Sequence, residues 1–476
     1  MTDVTTAGSA GGSRAMHSPI GRRTFLALGT AGAATMMASA SMAAAVTAGG
    51  PNPSPRSPQP LGLDPASGRD VAETKAFHGD VYRLALAATD GFVSMPLGVD
   101  PIAPYFPDPL AGDTRSTYTF GFRNVTNMNQ PQVAAQKGVT QISAPLFGVP
   151  AGSELWVVLT NLGLQIRPDL VDSHTMHWHG FRNAIPFYDG VPETSISVPI
   201  GRDFTYVFRP KDAGTYMYHC HFEDVEHVTM GMTGIVYVSP EVGDRTGLDG
   251  TTGFTKKAYG THDGDATGET AYHREYAIIL TEIDSRAHWN DAHIQTTDWT
   301  DFHPEFWLMN GRAYPDTVAA NGVRNADGTF SHPEARLEQQ PHSSLIECNA
   351  NETVLIRLVN LGFQNHTMTL PGVPMDIVGR DARYVPAAAR RKATDTVQLG
   401  PGESRDILIR PTTAGTFPFF NRDLSRYTGA GNDQWVGGQR TNVVVHVGGA
   451  APQLKPNGAP GETAWDGELP IIAERL

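Results

Sequence analysis

The chain has 476 residues, enough for two or three domains, and its 50 glycines and 35 prolines are typical of a loop-rich all-β protein. Asp and Glu number 49 against 36 Lys and Arg, which gives a formal net charge of −13. This charge, and the absence of any basic patch interleaved with aromatic residues, excludes a nucleic-acid-binding surface.

Residues 1–45 are predicted to form a twin-arginine signal peptide. The segment 21–26, Gly-Arg-Arg-Thr-Phe-Leu, precedes a weakly apolar run that ends in three alanines at 43–45, small residues that suit cleavage. Such a signal predicts export to the periplasm, the cell surface or the medium. Residues 46–75 are rich in Pro, Gly and Ser and are predicted to be a disordered linker. No later apolar stretch is long enough to span a bilayer, so no stable membrane anchor is expected.

Three segments of the first half recur in the second half, in the same order and at similar spacing. Residues 155–163 (LWVVLTNLG) match 354–362 (VLIRLVNLG), residues 173–180 (SHTMHWHG) match 365–372 (NHTMTLPG), and residues 208–216 (FRPKDAGTY) match 409–417 (IRPTTAGTF). One long repeat of this kind indicates duplication of a whole domain and not a short-period solenoid.

Both halves contain short runs rich in Val, Ile, Leu, Phe and Tyr, separated by Gly, Pro, Asn and Asp. This pattern predicts an all-β fold of two tandem domains, each with antiparallel strands in a Greek-key β-sandwich or barrel. The run 233–238 is predicted to close the first domain, and the run 442–446 to close the second. The predicted boundaries are 76–240 for the first domain, 241–273 for a linker, 274–450 for the second domain and 451–476 for a C-terminal tail.

The first domain contains two histidine-rich motifs, at residues 174–180 and 219–232. A Cys thiolate, two imidazoles and a weak thioether form the ligand set of a blue-copper electron-transfer centre, and their softness selects copper over magnesium or calcium. The two motifs supply that set as His174, Cys220, His227 and Met232. Met230 is a rival for Met232 as the axial ligand.

The same motifs leave further histidines for a second metal site, namely His177, His179, His219 and His221. The first pair flanks Trp178 and the second pair flanks Cys220. Because side chains alternate along a strand, both members of a pair can face one site while the residue between them faces the other way. The pattern therefore predicts two adjacent metal centres with Cys220 between them.

The first domain resembles the cupredoxin domains of multicopper oxidases in His-Trp-His-Gly at 177–180, Asp-Gly-Val-Pro at 189–192 and His-Cys-His at 219–221. The resemblance implies two tandem cupredoxin-like domains and a type 1 copper that takes electrons from a small-molecule donor, such as a phenol, or from a redox protein. It also implies transfer along the Cys backbone to a trinuclear cluster that reduces dioxygen to water. By the same resemblance, type 2 copper is served by His177, and type 3 copper by His179, His219 and His221.

Acidic residues near these motifs have two interpretations each. Asp189 resembles the family's acidic residue near the cluster, which implies a proton relay, but it also suits the turn of an Asp-Gly pair. Glu223, Asp224 and Glu226 flank the type 1 ligands, where they either favour cationic or phenolic donors or belong to a solvated loop. The other cysteine, Cys348, is predicted to be a small buried residue.

The second domain departs from the family pattern. Opposite His177, His179, His219, Cys220 and His221, the repeat places Thr369, Pro371, Phe420, Asn421 and Arg422. Thr, Pro and Phe cannot bind copper in this role, and Arg is always charged with no lone pair to offer. His366, opposite His174, is the exception. The second domain is therefore predicted to be a cupredoxin-like domain that lacks most copper ligands.

Three explanations for the missing ligands stay open. They could come from His288, His293 and His303 at the start of the second domain. Chains could associate, and a homotrimer is expected because two-domain relatives need a neighbour to complete a site between domains. The second centre could instead be mononuclear, as in copper nitrite reductases. The alternative functions are accordingly a nitrite-reductase-like enzyme and an electron-transfer protein with a type 1 centre alone.

Overall fold

The computed structural model describes residues 81–96, 108–113, 115–181, 185–240, 256–325, 329–390, 394–428, 438–453, 456–460 and 471–472. All of them belong to one compact unit, residues 61–475. The predicted signal peptide at 1–45 and the predicted linker at 46–75 lie outside the described residues.

The first half of the described chain forms a β-sandwich. Its strands are β1 (Val81–Ser94), β2 (Ser116–Asn124), β3 (Phe147–Pro150), β4 (Glu154–Asn161), β5 (His177–Trp178), β6 (Asp203–Phe208), β7 (Gly214–His219) and β8 (Thr233–Ser239). One sheet has the order β2-β1-β4-β6 and the other has the order β3-β8-β7-β5. The pairs β1·β4 and β3·β8 are parallel, and the remaining pairs in these sheets are antiparallel.

The second half repeats this topology. After the hairpin of β9 (Lys256–Lys257) and β10 (Ala271–Tyr272), its strands are β11 (Arg274–Ile283), β12 (Phe306–Met309), β13 (Val323–Arg324), β14 (Phe330–Ser331), β15 (Ile346–Asn349), β16 (Val354–Asn360), β17 (His366–Thr369), β18 (Met375–Arg380), β19 (Arg383–Tyr384), β20 (Thr396–Leu399), β21 (Ser404–Ile409), β22 (Gly415–Asn421), β23 (Arg440–His446) and β24 (Ile471–Ile472). The orders β12-β11-β16-β21 and β15-β23-β22-β17 match those of the first half strand for strand. The predicted all-β fold with two tandem domains is confirmed.

The repeated Asn-Leu-Gly sequence folds in the same way in both halves. The Asn161 side chain accepts a hydrogen bond from the N–H of Gly163 at 2.8 Å, and the Asn360 side chain accepts one from Gly362 at 2.9 Å. Each Asn thus mimics a backbone turn directly after its strand. The sequence repeat is therefore also a structural repeat, and positions in the two domains can be compared directly.

Apolar side chains from the two sheets of the first domain fill the space between them. Leu84 and Phe122 come from one sheet, Phe147 from the other, and all three are fully buried. Each such Leu or Phe contributes about 1.5–3 kcal/mol through the loss of apolar surface to water. The core also contains Trp178, whose ring lies 4.3 Å from the ring of Phe208 between centroids. The histidine motifs are thus attached to a rigid interior.

Two segments outside the predicted domains are folded. The described part of the predicted linker 241–273 forms the β9–β10 hairpin, where Tyr259 and Tyr272 are buried. In the predicted tail, Asn457 donates to the carbonyl of Ala277 at 3.0 Å, and β24 pairs with the start of β1. Neither segment has the alternating apolar pattern of a strand, so the sequence predicts a linker and a tail at these places.

The two domains share a buried polar contact around Arg357 of β16. Its guanidinium donates to Glu275 at 2.5 Å and to the Thr215 hydroxyl of the first domain at 3.0 Å, and it lies 3.4 Å from Asp406. Burial opposes the charge, but the Glu275 and Asp406 carboxylates raise the pKa of Arg357. Removing one member of such a buried group leaves an uncompensated charge and costs about 3–5 kcal/mol. This network helps to hold the domains in a fixed arrangement.

The helices are short, and one of them brings the second domain to the histidine motifs. They are α1 (Gln130–Ala134), α2 (Asp224–Thr229), α3 (Ser285–Ala292) and α4 (Ser425–Thr428). Helix α3 begins after Asp284, whose side chain accepts from the N–H groups of Arg286 and Ala287, and it packs on β2. No helix in the described ranges is both long and apolar enough to cross a membrane.

Candidate metal centres

Strand β5 is short, yet it fixes the positions of the histidines. His177 pairs with His219 of β7, and Trp178 pairs with Tyr218. Trp178 is buried in the core, so its neighbours His177 and His179 point to the opposite face of the strand. The alternation expected from the sequence is therefore present, and it places histidines of both motifs on one side of the sheet.

The first cluster consists of Cys220, His174 and His227, all of them buried. The Cys220 Sγ atom lies 3.2 Å from Nδ1 of His227 and 3.8 Å from Nδ1 of His174. The backbone N–H of Thr175 also points at the sulfur, at 3.4 Å. These are three of the four residues that the sequence predicts for the type 1 site, and the structure brings them together.

The segment from Cys220 to Met232 forms a closed loop around this cluster. The Cys220 N–H donates to the Met232 carbonyl at 3.2 Å, and the Met232 N–H donates to the His227 carbonyl at 3.0 Å. Helix α2, which carries His227, forms the outer part of the loop. Met230 and Met232 are both fully buried. Met232 stays the predicted axial ligand.

The ring nitrogens of the two buried imidazoles differ in their surroundings. Burial would lower the pKa of His227, but the Cys220 sulfur and the Asp172 carboxylate raise it to about 10. Burial and the neighbouring His227 instead lower the pKa of His174 well below its usual value. Only a neutral imidazole binds a metal, so His227 must release a proton when it becomes a copper ligand.

The second cluster lies on the other side of Cys220. One ring nitrogen from each of His177, His179 and His219 lies within 4.8 Å of the others, and the Nε2 atoms of His179 and His219 are 2.9 Å apart. The His221 ring is adjacent, with its centroid 5.0 Å from that of His177. All the histidines that the sequence predicts for the second centre are thus neighbours.

Two backbone carbonyls orient the rings of this second cluster. Nδ1 of His177 donates to the Asp189 carbonyl at 2.6 Å, and Nδ1 of His219 donates to the Cys220 carbonyl at 2.7 Å. A hydrogen bond from one ring nitrogen fixes the tautomer and leaves the other nitrogen free to bind a metal. The Nε2 atoms of His177 and His219 are therefore the available ligand atoms.

The Asp189-Gly190 turn is pressed against the strand that carries the histidines. Gly190 has φ +78°, and a Cβ at this position would lie 2.2 Å from the Met176 carbonyl oxygen. The Asp189 carboxylate lies 3.5 Å from Nδ1 of His177 and is 34% exposed. Asp189 is therefore a turn residue by geometry, and its predicted role in proton transfer stays a prediction.

Burial favours the neutral imidazole form of His177, His179 and His219. Burial, together with the neighbouring rings, lowers the pKa of His179 to about 4 and that of His219 to about 3. Burial also lowers the pKa of His177. Neutral imidazoles are the form that binds metals, so these rings need lose no proton to act as ligands.

Two sequence profiles that describe multicopper oxidases match this chain, one over residues 128–243 and the other over residues 283–449. The chain belongs to the multicopper oxidase family. Members of this family are oxidoreductases that bind copper. The two matched regions correspond to the two β-sandwich domains.

Similarity to individual multicopper oxidases is low but extends over much of the chain. The chain is 25% identical over 311 residues to laccase-like multicopper oxidase 1 of Thermothelomyces thermophilus, and the match covers 57% of this chain and 41% of that protein. It is 22% identical over 287 residues to copper resistance protein A of Escherichia coli, covering 56% and 42%. The chain therefore spans about two fifths of the length of these relatives.

Among solved structures, the chain is similar to a blue copper oxidase from Nitrosomonas europaea. The TM-score is 0.52 at 22% sequence identity, covering 77% of this chain and 86% of that chain. At this identity the likeness concerns the fold, and it confirms the tandem cupredoxin-like architecture.

In the second domain of this chain, other residues stand at the positions of the first-domain metal-binding residues. Thr369 pairs with Phe420 in the register in which His177 pairs with His219. His366, the counterpart of His174, is held by the Glu282 carboxylate at 2.8 Å on Nε2 and by the Asn421 amide at 3.0 Å on Nδ1. Asn421 stands where Cys220 stands in the first domain. Both ring nitrogens of His366 are thus engaged in structural contacts.

The three histidines considered as further ligands have other partners. Nδ1 of His288 contacts the Tyr118 carbonyl at 2.5 Å, and His288 is fully buried. His293 contacts Asp108 at 3.0 Å, and His303 contacts Asp301 at 3.0 Å. Within the described ranges, the groups able to hold a metal ion do not include these histidines. The structure therefore does not bring them to the second cluster.

The residues of the first cluster fit the copper that the family binds. The Sγ–Nδ1 separations of 3.2 and 3.8 Å suit ligands of a single ion, whose bonds to nitrogen and sulfur are about 2.0–2.3 Å long. A buried cysteine sulfur with two imidazoles is a soft ligand set that selects copper, and Met232 is the predicted thioether ligand. At the second cluster, three converging imidazole nitrogens also suit copper.

Two features near the first cluster were missed in the sequence. Asp172 lies 3.7 Å from Nε2 of His227, and Asp291 of α3 pairs with Arg167 of the first domain at 3.1 Å. The second pair joins residues 124 positions apart, and nothing in the local sequence marks either one. Only the packing of α3 against the first domain shows that they meet.

Proposed function

We propose that this chain is an exported copper oxidase, in which a type 1 copper takes electrons from a reducing substrate and a second copper centre delivers them to dioxygen. The type 1 ligands are His174, Cys220, His227 and Met232, and those of the second centre are His177, His179, His219 and His221. One observation carries this proposal. Cys220 belongs to one cluster, while the residues bonded to it on both sides lie at the other.

The route between the centres consists of Cys220 and its two neighbours. From Sγ it passes through the Cys220 backbone to His219 and His221 by covalent bonds. The hydrogen bond from Nδ1 of His219 to the Cys220 carbonyl, at 2.7 Å, adds a shorter branch. Copper bound at both clusters would supply single-electron chemistry, which these side chains alone lack.

The exposure of the two clusters supports a division of roles. His174, Cys220 and His227 are buried, which keeps dioxygen and water from the first cluster. The His177 side chain is 18% exposed, so a small molecule can approach the second cluster. The Asp189 carboxylate lies between solvent and His177, where it can pass on the protons that dioxygen reduction consumes.

Two further parts of the proposal concern assembly and export. Because Thr369 and Phe420 replace the second-domain histidines, a homotrimer is proposed in which a neighbouring chain covers the exposed side of the second cluster. The proposal of export is supported by the twin-arginine motif at 21–26, which lies outside the described residues. The donor is a small molecule, such as a phenol, or a redox protein.

Electron counting tests this function. With a one-electron donor such as a methoxyphenol, the copper-loaded protein should consume about four donors per dioxygen without releasing peroxide, because reduction to water takes four electrons. Donor loss, oxygen uptake and peroxide are measured on one sample. A ratio of about two with accumulating peroxide, or no oxygen uptake at all, would contradict the proposal.

A nitrite-reductase-like enzyme is the second candidate. Three imidazole nitrogens converge at His177, His179 and His219, which could hold a single copper ion, and the second domain supplies no further histidine at the equivalent positions. Incubation with nitrite and a reductant under argon distinguishes this candidate. Nitric oxide formation without dioxygen uptake in the parallel assay would favour it over the oxidase.

A further inference from the structure

Carboxylates gather next to His227, and two of them, Glu223 and Glu226, also line a cavity. His227 directs Nδ1 at the sulfur, and its Nε2 lies 3.7 Å from the Asp172 carboxylate. One ligand atom from each of Asp172, Glu223, Glu226 and His227 lies within 4.8 Å of the others. A donor bound in the cavity would therefore lie next to carboxylates that surround a ligand of the first cluster.

Both domains contribute to the cavity, which measures about 360 Å³. The first domain supplies Arg167, Leu170, Glu223 and Glu226, and the second supplies Asp291 and the segment after α3, including Ile294 and Trp299. Glu223 adopts φ +47°, a left-handed conformation that is unfavourable for a residue with a side chain. Such strain occurs preferentially at functional positions.

The charges around the cavity favour a cation. Glu223, Glu226 and Asp291 face one guanidinium, that of Arg167, which is already held by Asp169 at 2.9 Å and by Asp291. Asp291 is only 8% exposed, and its Oδ2 atom has no hydrogen-bond partner in the part of the chain that the structure describes. Burial and nearby carboxylates raise the pKa of Asp291 to about 7. A buried carboxylate of this kind gains a partner when a cation binds.

The remaining walls favour a ligand with an apolar body. Leu170 and Trp299 line the cavity, and Ile294 is 67% exposed. A hydrated metal ion would leave these apolar surfaces in contact with water, whereas an aromatic ring would cover them. An indole also attracts an organic cation over its face. The cavity is large enough for a substituted benzene ring, which a bare metal ion would not fill.

We propose that this cavity binds the electron donor and selects an aromatic molecule that carries a positive charge, such as a phenol with an alkylammonium substituent. This inference rests on the proposed oxidase function. Each bound phenol loses one electron through His227 to the copper and one proton to solvent, and the phenoxyl radical leaves. Dioxygen is the final oxidant, since four such oxidations supply the electrons and protons that convert it to two waters.

A matched pair of donors tests the proposal. Two methoxyphenols, one with a trimethylammoniomethyl group and one with a sulfonatomethyl group, are compared on copper-loaded protein at low salt. The kcat/KM ratio of cation to anion should exceed about tenfold, and Asp291→Asn should lower it about fivefold. Glu223 is exposed, so its replacement in Glu223→Gln is unlike a change in the core, and it should also lower the ratio of cation to anion kcat/KM. Asp224→Asn removes a charge from α2 that does not line the cavity and should leave the ratio unchanged.

Direct binding gives a second readout that does not depend on turnover. Phenyltrimethylammonium, which has no phenol to oxidise, should bind the copper-loaded protein in calorimetry, and binding should weaken in Asp291→Asn and in Trp299→Leu. Equal kcat/KM for the two phenols, or equal effects of Asp291→Asn and Asp224→Asn, would overturn the proposal. The proposal would also be overturned if Asp291→Asn lost ferrous-ion oxidation but kept oxidation of the cationic phenol, because the cavity would then serve a metal ion. If neither phenol is oxidised while phenyltrimethylammonium still binds, the oxidase function fails and the cation site stands.

Discussion

Replacement of Cys220 by serine should abolish both the blue absorption and donor oxidation, with an activity loss of about 10³-fold or more, because a serine hydroxyl is a hard, protonated group that binds copper poorly. The Sγ atom is the closest partner of Nδ1 of His227 and the start of the route to His219 and His221. Visible spectra and steady-state donor oxidation on copper-loaded protein measure both effects.

Cys348→Ser is the matched control, because this cysteine is also buried and lies in β15 of the second domain. Burial raises the pKa of the Cys348 thiol to about 12, so it stays protonated and is a poor metal ligand. Its replacement should leave the colour and activity intact. A blue band that survives in Cys220→Ser would show that the type 1 site has been assigned to the wrong residues.

The substitution His177→Ala should separate the two centres. The ring of His177 belongs to the second cluster, and Cys220, His174 and His227 form the first without it. We therefore expect the blue band to persist while dioxygen reduction falls by about 100-fold or more, as for loss of a metal ligand. In a stopped-flow experiment the donor should bleach the blue colour, and dioxygen should fail to restore it.

Thr369→Ala is the control for that experiment. Thr369 occupies the position in the second domain that His177 occupies in the first, with Phe420 opposite it in place of His219. If the second domain holds no copper, Thr369→Ala should leave unchanged the rate at which dioxygen restores the blue colour. Unchanged oxygen uptake in His177→Ala would remove the paired histidines from the mechanism.

Much of the metal site follows from local sequence. The alternation of His177, Trp178 and His179 is sufficient to place the tryptophan in the core and both histidines outside it. The sequence repeat also predicts the register in which Thr369 replaces His177. These features are set by strand geometry and by short-range pairing, which a single sequence reveals.

The features that the sequence did not reveal depend on contacts between distant segments. The hairpin of 256–272 is rich in Gly, Asp and Thr, yet packing against the second domain buries Tyr259. Asp291 reaches Arg167 because α3 packs on the first domain. Neither periodicity nor composition encodes such a contact. The cavity lined by Glu226 and Asp291 is therefore visible only in the folded chain.

The most direct test of a second copper centre is the number of copper ions per chain in the metal-loaded protein. Native mass spectrometry gives the copper count and the number of chains together, and visible and paramagnetic spectra of the same sample identify the types of copper. At least two copper ions per chain, with a type 1 signal and a second copper signal, is the expected result. A single copper with only a type 1 signal would contradict it and would make this protein an electron carrier.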